Sequence, residues 1–523
     1  MNLNSQIILC KGIKIDRNYK NTLSYSTQDM LNLCEANKIA KRTNYSFIRA
    51  NNSILVDFRY QDCLVANYIA FQNPDYSNKW FFAWIDEVNY KNDATTELKF
   101  TVDAWSTWWK DWIAKQCFVI REHVNSDNIG EHTVPENLET GSYTQLNYYD
   151  EITYKDSYVI FAMSEVPNKS TATVKQFGGI YSGLYYLVFT NILQATLFIL
   201  NCDKVKINDF QDKSYSDAII SIFLAPKQLV EGHLGEAQNY EGAIYYELQS
   251  TSSVEIIKPK TEFANPTKLA DDYVPKNNKL FTYPYRYLIL SNNSGSDVEM
   301  KYEDFKDLKP QFIIYGVIST GCSIKCVPTN YKNSPGDNYE ESINCAKFPV
   351  CSWTKNTYLN WLTQNSLNLG LSGLNNTINV SKGFTGDVTS AISSVASSFQ
   401  NLQQIYEHSK IPDQARGNLN SSDIMYSLSK NGVSIYHMSI KSEYAKIIDE
   451  FFTRFGYKIN RVKQPNIYGR ANFNFVQVGS GEIVCEGIPE VYANQVNQAF
   501  QNGVTIWHSH SAIGNFNIDN SIV

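Results

Sequence analysis

Between Lys355 and Glu407 the chain carries only two charged side chains, Lys382 and Asp387. In a protein that is 19% charged, those 51 residues would ordinarily hold about ten. Asn, Ser, Thr, Gln and Gly take their place. The hydrophobes that remain are periodic. Leu367, Leu371, Leu374 and Ile378 follow steps of 4, 3 and 4. Phe384, Val388, Ile392, Val395, Phe399 and Leu402 follow steps of 4, 4, 3, 4 and 3. Each set falls on one stripe of a helix. The stretch from Asn379 to Gly386, with Gly383 inside it, separates them. The pattern predicts two weakly amphipathic helices folded back on each other, with an uncharged polar face. Three readings are open. The stripes could pack on a core of their own or in a coiled coil. The segment could be a Ser/Asn-rich linker, although periodic hydrophobes argue against that. Or it could hide in a protein channel in one state and touch a bilayer in another. It is not a transmembrane helix by hydropathy, because no run of about 18 apolar residues occurs in the chain.

A length of 523 residues is enough for about two to four domains with sizeable cores. The 35 Tyr and 27 Phe, with modest charge, fit a β-rich, surface-exposed assembly better than a metabolic α/β enzyme. With a net charge of −6 and no basic run, the chain is not built for tight, sequence-independent nucleic-acid binding. A conduit through which DNA slides is a different case, since basic stripes would hinder it. The start, Met1 to Gly12, lacks a basic region followed by a long apolar core, so no cleavable signal peptide is expected. The ten cysteines are scattered, and most are expected to be buried free thiols. Cys322, Cys326, Cys345 and Cys351 could supply four thiolates to zinc or form a disulfide. Their spacing is not that of the usual zinc knuckles, and buried strand thiols are the plainer reading.

Period-two alternation marks half-buried antiparallel strands in the first 120 or so residues. Ile54, Val56, Phe58 and Tyr60 form one such row, and Leu98, Phe100 and Val102 another. Lys79 to Ile85 reads as a bulky buried strand and Tyr90 to Thr96 as a hairpin turn. Asp103 to Ile113, with Trp105, Trp108, Trp109 and Trp112, reads as a short aromatic helix. Residues 124–145 are polar and irregular. Apolar runs at Tyr158–Phe161, Gly183–Phe189 and Ile219–Leu224 predict strands of a separate domain, and strands return from Phe281 to Ile318. Near the end, Glu443 to Phe455 is an amphipathic helix with Ser442 as cap and Gly456 as stop. Tyr444, Ile447, Ile448, Phe451, Phe452 and Phe455 make its apolar face. Phe473 and Phe475 belong to a strand, and Pro489 to Phe500 form a second helix closed by Asn502-Gly503.

Catalytic signatures are missing. There is no Gly-x-Ser-x-Gly elbow, phosphate loop, dinucleotide fingerprint or His-Glu-x-x-His. His508-x-His510 could share a metal on one strand face, but an exposed polar edge is the plainer reading. Asp271-Asp272 and Glu340-Glu341 read as solvated loop charge. No cofactor, metal site or catalytic residue is expected.

Several stretches resemble one family. The first runs from Tyr68 to Ile85 and on through Glu87–Asn92, Thr95-Thr96, Phe100, Asp103 and Trp105. The next is Phe118 to Val124, followed by Asp127, Ile129-Gly130, His132 to Glu136 and Leu138-Glu139. The last are Phe455 to Val462 and Asn502 to His508. The chain resembles the tail-knob, or distal tail-tube, proteins of small short-tailed phages (podoviruses) with protein-primed genomes that infect Gram-positive bacteria. The resemblance is carried by the N-terminal quarter and the last hundred residues.

That resemblance implies a mainly β fold with α+β parts. The protomer would be a multi-domain β-barrel or sandwich like those of phage tail hub proteins, with a long amphipathic loop. It implies a homohexameric tube at the virion's tail tip, partnered by other phage tail proteins, through whose lumen phage DNA passes without specific binding. It also implies apolar loops that plug the channel and then help to breach the host cell membrane. Residues 356–424 stand where that loop is expected. The division expected is 1–125 (β tube domain), 126–280 (inserted knob domain), 281–355 (second β tube domain), 356–424 (charge-poor loop) and 425–523 (C-terminal α+β part). The expected function is that of a structural virion protein, made in the host cytoplasm. The alternative is a tail adhesin that binds host cell-wall glycan.

Overall fold

Strand Ser157–Met163 shows why much of this chain lacks clean alternation. Ile160 and Ala162 point into one buried cluster, and Val159, Phe161 and Met163 into another. A strand covered on both faces must be apolar at every position. In the computed structural model the described residues are 5–109, 111, 115–152, 157–167, 176–190, 192–207, 210–251, 255–292, 297–332, 343–348, 433–479 and 488–523. They form two compact units. The first holds Met1–Thr140, Pro275–Leu280 and Glu443–Val523, and the second holds Gly141–Val274 and Phe281–Ser442.

The first unit contains a seven-stranded antiparallel sheet. Its order is Lys38–Arg42, Ile7–Cys10, Tyr68–Asn73, Lys79–Asn92, Thr95–Val102, Ser53–Val56 and Ser46–Ile48. Phe71 stands opposite Phe81, and Ile54 opposite Leu98. The expected row Ile54-Val56-Phe58-Tyr60 is a strand only to Val56, because Tyr60 opens a short helix, Tyr60–Leu64. Strand Lys79–Asn92 runs on to Asn92, so the hairpin turn is reduced to Asp93-Ala94. The aromatic helix is also shorter than expected. It spans Ala104–Trp108 and is capped by the Asp103 side chain, which accepts from the Ser106 N–H. Trp105 stacks on Trp109 at 5.2 Å and donates its indole N–H to the Leu23 carbonyl. Trp112 lies outside the described residues.

A second sheet of this unit ties the two ends of the chain together. Its order is Asn21–Leu23, Val504–Trp507, Phe473–Val478, Cys117–Glu122 and Tyr457–Lys463. Thr22 lies beside Ile506 in the parallel pair and Asn474 opposite Ile506 in the antiparallel one. Two helices, Ser442–Phe455 and Glu490–Asn502, end at Gly456 and Gly503, both with positive φ. At Gly456 a Cβ would sit 2.0 Å from the Glu122 carbonyl oxygen. Gly456→Ala therefore combines left-handed strain with a clash against backbone that cannot swing aside. It should destabilise the first unit by about 2–4 kcal/mol, read as a lower urea midpoint with unchanged slope.

The helix Ser442–Phe455 begins where Ser442 was expected as cap, and its buried face differs from the expected one. Ala445, Ile448, Asp449 and Phe452 are buried, whereas Ile447 is 68% exposed.

The second unit has three main sheets. One runs Ile219–Pro226, Ser157–Met163, Tyr185–Phe189, Ala243–Leu248 and Leu234–Tyr240. Another runs Tyr143–Ile152, Val433–Ile440, Arg286–Ser291 and Asp297–Met300. The third runs Glu255–Glu262, Gln311–Ile318, Cys322–Thr329 and Ile343–Phe348. A common core takes Ile160 and Val188 from the first, Leu288 and Ile435 from the second, and Phe312 and Ile324 from the third. Helix Ile192–Lys204 covers the other face of the first sheet, with Phe198 against Phe189 and Tyr245. Cys322 and Cys326 point into the common core, and Cys351 lies outside the described residues.

The two units are cut differently from the five segments expected. Residues 141–274 share one core with 281–332, so they do not form a separate inserted body. Strand Val433–Ile440 belongs to the second unit because it pairs with Tyr143–Ile152 and Arg286–Ser291, while 443–523 complete the first. Such pairings join strands far apart in the chain and leave no local mark in the sequence. No helix of the described residues is long and apolar enough to cross a membrane.

Candidate functional site

The ten hydrophobes of the predicted loop, Leu367, Leu371, Leu374, Ile378, Phe384, Val388, Ile392, Val395, Phe399 and Leu402, lie outside the described residues. Their flanks are described. The preceding strand ends at Phe348, in the sheet of Cys322–Thr329, and the following strand starts at Val433, between two neighbours of its own sheet. Both flanks belong to the second unit.

In the first unit, stretches that carry the family resemblance meet in a buried ionic junction. Glu136 sits at its centre, with its side chain 1% exposed. It accepts from both the Arg121 guanidinium and the Lys279 ammonium, and from the Lys458 N–H at 2.9 Å. Arg121 also donates to the Gly456 carbonyl at 2.7 Å and lies over the Phe451 ring. Lys279 also donates to the Val134 carbonyl at 2.8 Å and faces the rings of Phe452 and Tyr457. Burial pulls the Lys279 ammonium below its ordinary pKa, and the adjacent Glu136 opposes that shift. Next to it Glu122 accepts from Lys463 and from the Asn466 N–H at 2.7 Å.

His123 is fully buried and locked in one tautomer. Its Nδ1 accepts the Phe475 N–H at 2.8 Å, so the proton is on Nε2, which donates to the Thr453 carbonyl at 3.0 Å. Burial, with Arg470 nearby, lowers its pKa to about 3. The ring is neutral and structural.

The six residues Pro275–Leu280 are stitched in almost one by one. The Asp449 carboxylate accepts the N–H groups of Lys276 and Asn277 and the Asn277 side-chain amide. The Asp127 carboxylate accepts the Asn278 N–H and the Tyr457 hydroxyl. Asp449 occupies the buried helix position that a hydrophobe would ordinarily fill. Sequence reasoning missed 275–280, since Lys-Asn-Asn-Lys reads as a surface turn.

A cleft of about 510 Å³ opens beside these residues, lined by His123, Lys276, Asn277, Thr453, Arg470 and the C-terminal residues 517–521. Asn520 fastens that C-terminal wall. Its side-chain oxygen accepts the N–H groups of Asn472 and Phe473, and its amide donates to the Phe473 carbonyl. His508 and His510 are half-buried, not on an exposed edge. His508 Nδ1 is 3.2 Å from the Ala471 carbonyl, and His510 Nε2 accepts the Lys14 N–H. No metal-binding group of side chains occurs among the described residues. Nothing in this geometry assembles a nucleophile with a base.

These polar groups position chain segments. A family model for the C-terminal domain of tail knob protein gp9 of Bacillus phage phi29 matches residues 247–521, more than half of the chain. The chain belongs to this tail knob family. It is a structural component of a phage tail. A second model, for the N-terminus of the caudoviral major tail protein, matches residues 3–113. Tail knob protein gp9 of Bacillus phage phi29 is 24% identical over 536 residues, covering 87% of this chain and 88% of the relative. The tail knob protein gp9 of Bacillus phage PZA is 23% identical over 603 residues, covering 99% and 98%. Among solved structures, the tail knob protein gp12 of bacteriophage C1 shares the fold. Its TM-score is 0.63 at 15% identity, over 99% of this chain and 100% of that one. The knob family thus accounts for both units and for the mainly β architecture with α+β parts.

Proposed function

We propose that this tail knob chain is the protomer of a homohexameric, β-rich tube at the tail tip, joined to other tail proteins. The tube conducts phage DNA during ejection, and the 356–424 segment plugs the lumen and then enters the host membrane. One observation carries this reading: a charge-poor, doubly striped segment set between two sheet strands of a tail knob protein. The stripes Leu367–Ile378 and Phe384–Leu402 can pack against their symmetry mates and later lie in a bilayer interface. The segment is more polar than an insertion peptide, so several copies acting together are part of the proposal. A net charge of −6 supports passage of DNA without counterion-release binding. Ring closure by six copies would also remove exposed sheet edges.

Dye release from liposomes across a pH range tests the membrane step. The intact protein should release dye, and a variant with residues 360–415 replaced by a short Gly/Ser linker should not. A triple variant, Phe384→Ser, Ile392→Ser and Phe399→Ser, should match the deletion, because it keeps length and removes the stripe. If neither intact protein nor deletion leaks although the tube assembles, the segment is a plug or packing element only. Membrane passage would then belong to another tail component.

A further inference from the structure

We propose that the cleft lined by Lys276, Arg470 and the C-terminal residues 517–521 binds a small anion through phosphate or carboxylate oxygens. Two cations line it, Lys276 and Arg470. Among the described residues, neither has a carboxylate oxygen within ion-pair distance. Arg470 is half-buried, and its guanidinium is fixed by two main-chain carbonyls, of Val124 at 3.0 Å and Asn520 at 3.3 Å. Those bonds set the plane of the fork and leave others of its five N–H donors for a ligand. Burial lowers its pKa, with Asp127 opposing the shift. A partly desolvated cation whose hydrogen bonds go to neutral carbonyls gains more from an incoming anion than a hydrated surface arginine does.

The neighbouring carboxylates keep their charge and weaken an anion site, but their oxygens are already engaged. Asp127 and Asp449 have their oxygens occupied by hydroxyl and N–H donors, and His123 is neutral with both ring nitrogens bonded. Asp519 also lines the cleft and is exposed, yet it pairs with neither cation. It therefore opposes an anion without cancelling the site. A volume of about 510 Å³ admits a phosphate or a small acid, within the usual range of about 300–1,000 Å³ for ligand pockets. The shared chemistry could come from a free ion or from a phosphodiester in a larger polymer.

Titration of the full-length protein with inorganic phosphate, acetate and a dialkyl phosphodiester, at constant ionic strength with chloride as reference, tests this by calorimetry and thermal shift. Saturable binding is expected for at least one oxyanion. Lys276→Gln, an exposed change, should weaken it by about tenfold, and Asp519→Asn should tighten it. The opposite signs separate anion recognition from a general loss of fold. A phosphodiester that binds as well as phosphate assigns the site to a polymer; phosphate alone assigns it to a free ion. No saturable difference from chloride, or equal behaviour of all three proteins, overturns the proposal.

Discussion

Glu136→Ala should destabilise the first unit by about 3–5 kcal/mol, because it strands buried cations that have no water to fall back on. The Lys279 side chain is 2% exposed and that of Arg121 11% exposed. The Lys458 N–H loses its acceptor as well. Tryptophan fluorescence reports mainly on the first unit, which holds seven of the nine tryptophans; Trp353 and Trp361 fall in the second. Urea unfolding should show a midpoint well below that of the intact protein. Adding Lys279→Met should then recover part of the loss, because removing both partners is far cheaper than removing one. A cost under about 1 kcal/mol for Glu136→Ala would mean that the junction does not hold the segments together. A double variant no better than the single one would put the damage elsewhere, in the backbone around Lys458.

The parts of this fold that could be read from sequence are those fixed within a few residues. Leu98, Phe100 and Val102 alternate and lie in strand Thr95–Val102, and Gly456 stops its helix with a positive φ. The row Ile54 to Tyr60 shows where such reading fails. Alternation continues across the end of the strand, because period two does not register a turn. The helix Ser442–Phe455 fails for another reason. Hydrophobicity placed Ile447 on the apolar face, yet it is exposed, while Asp449, outside that face, is buried. The Asp449 carboxylate is spent on two N–H groups of residues 276 and 277, a partner some 170 positions away that no local pattern announces. The same holds for strand Asn21–Leu23 beside Val504–Trp507. Of the site, the striped segment was legible because its signal is composition and period. The junction and the cleft were not, since Arg121, Glu136, Lys279 and Arg470 look like ordinary surface charge until the chain folds.

Both units should lose stability on mild acidification, chiefly through one deeply buried histidine each; in the first unit burial also lowers the half-buried His508 and His510. His123 in the first unit has its pKa lowered to about 3, and His437 in the second to about 4, in each case chiefly by burial. His437 Nδ1 is 2.6 Å from the Tyr302 hydroxyl, and its ring packs on Phe263. An unfolded histidine titrates near 6.5. Below that pH the unfolded chain binds a proton that the folded chain refuses. The stabilisation is therefore complete above about pH 6.5 and is lost as pH falls towards the folded values. Each histidine contributes about 1.4 kcal/mol per pH unit in that window, so pH 4.5 should cost each unit about 3 kcal/mol. Asp103 and Glu303 act in the opposite sense, since burial raises their carboxyls and the folded state takes up their protons more readily. A His123→Asn variant removes the ambiguity. Its Oδ1 can still accept the Phe475 N–H, but it has nothing to titrate. Its urea midpoint by tryptophan fluorescence should be lower at pH 7 and should fall less steeply between pH 6.5 and 4.5 than that of the intact protein, the remaining slope coming from His508 and His510. Equal slopes for the two proteins would show that His123 is already charged in the folded state. The neutral ring between Thr453 and Phe475 would then be wrong.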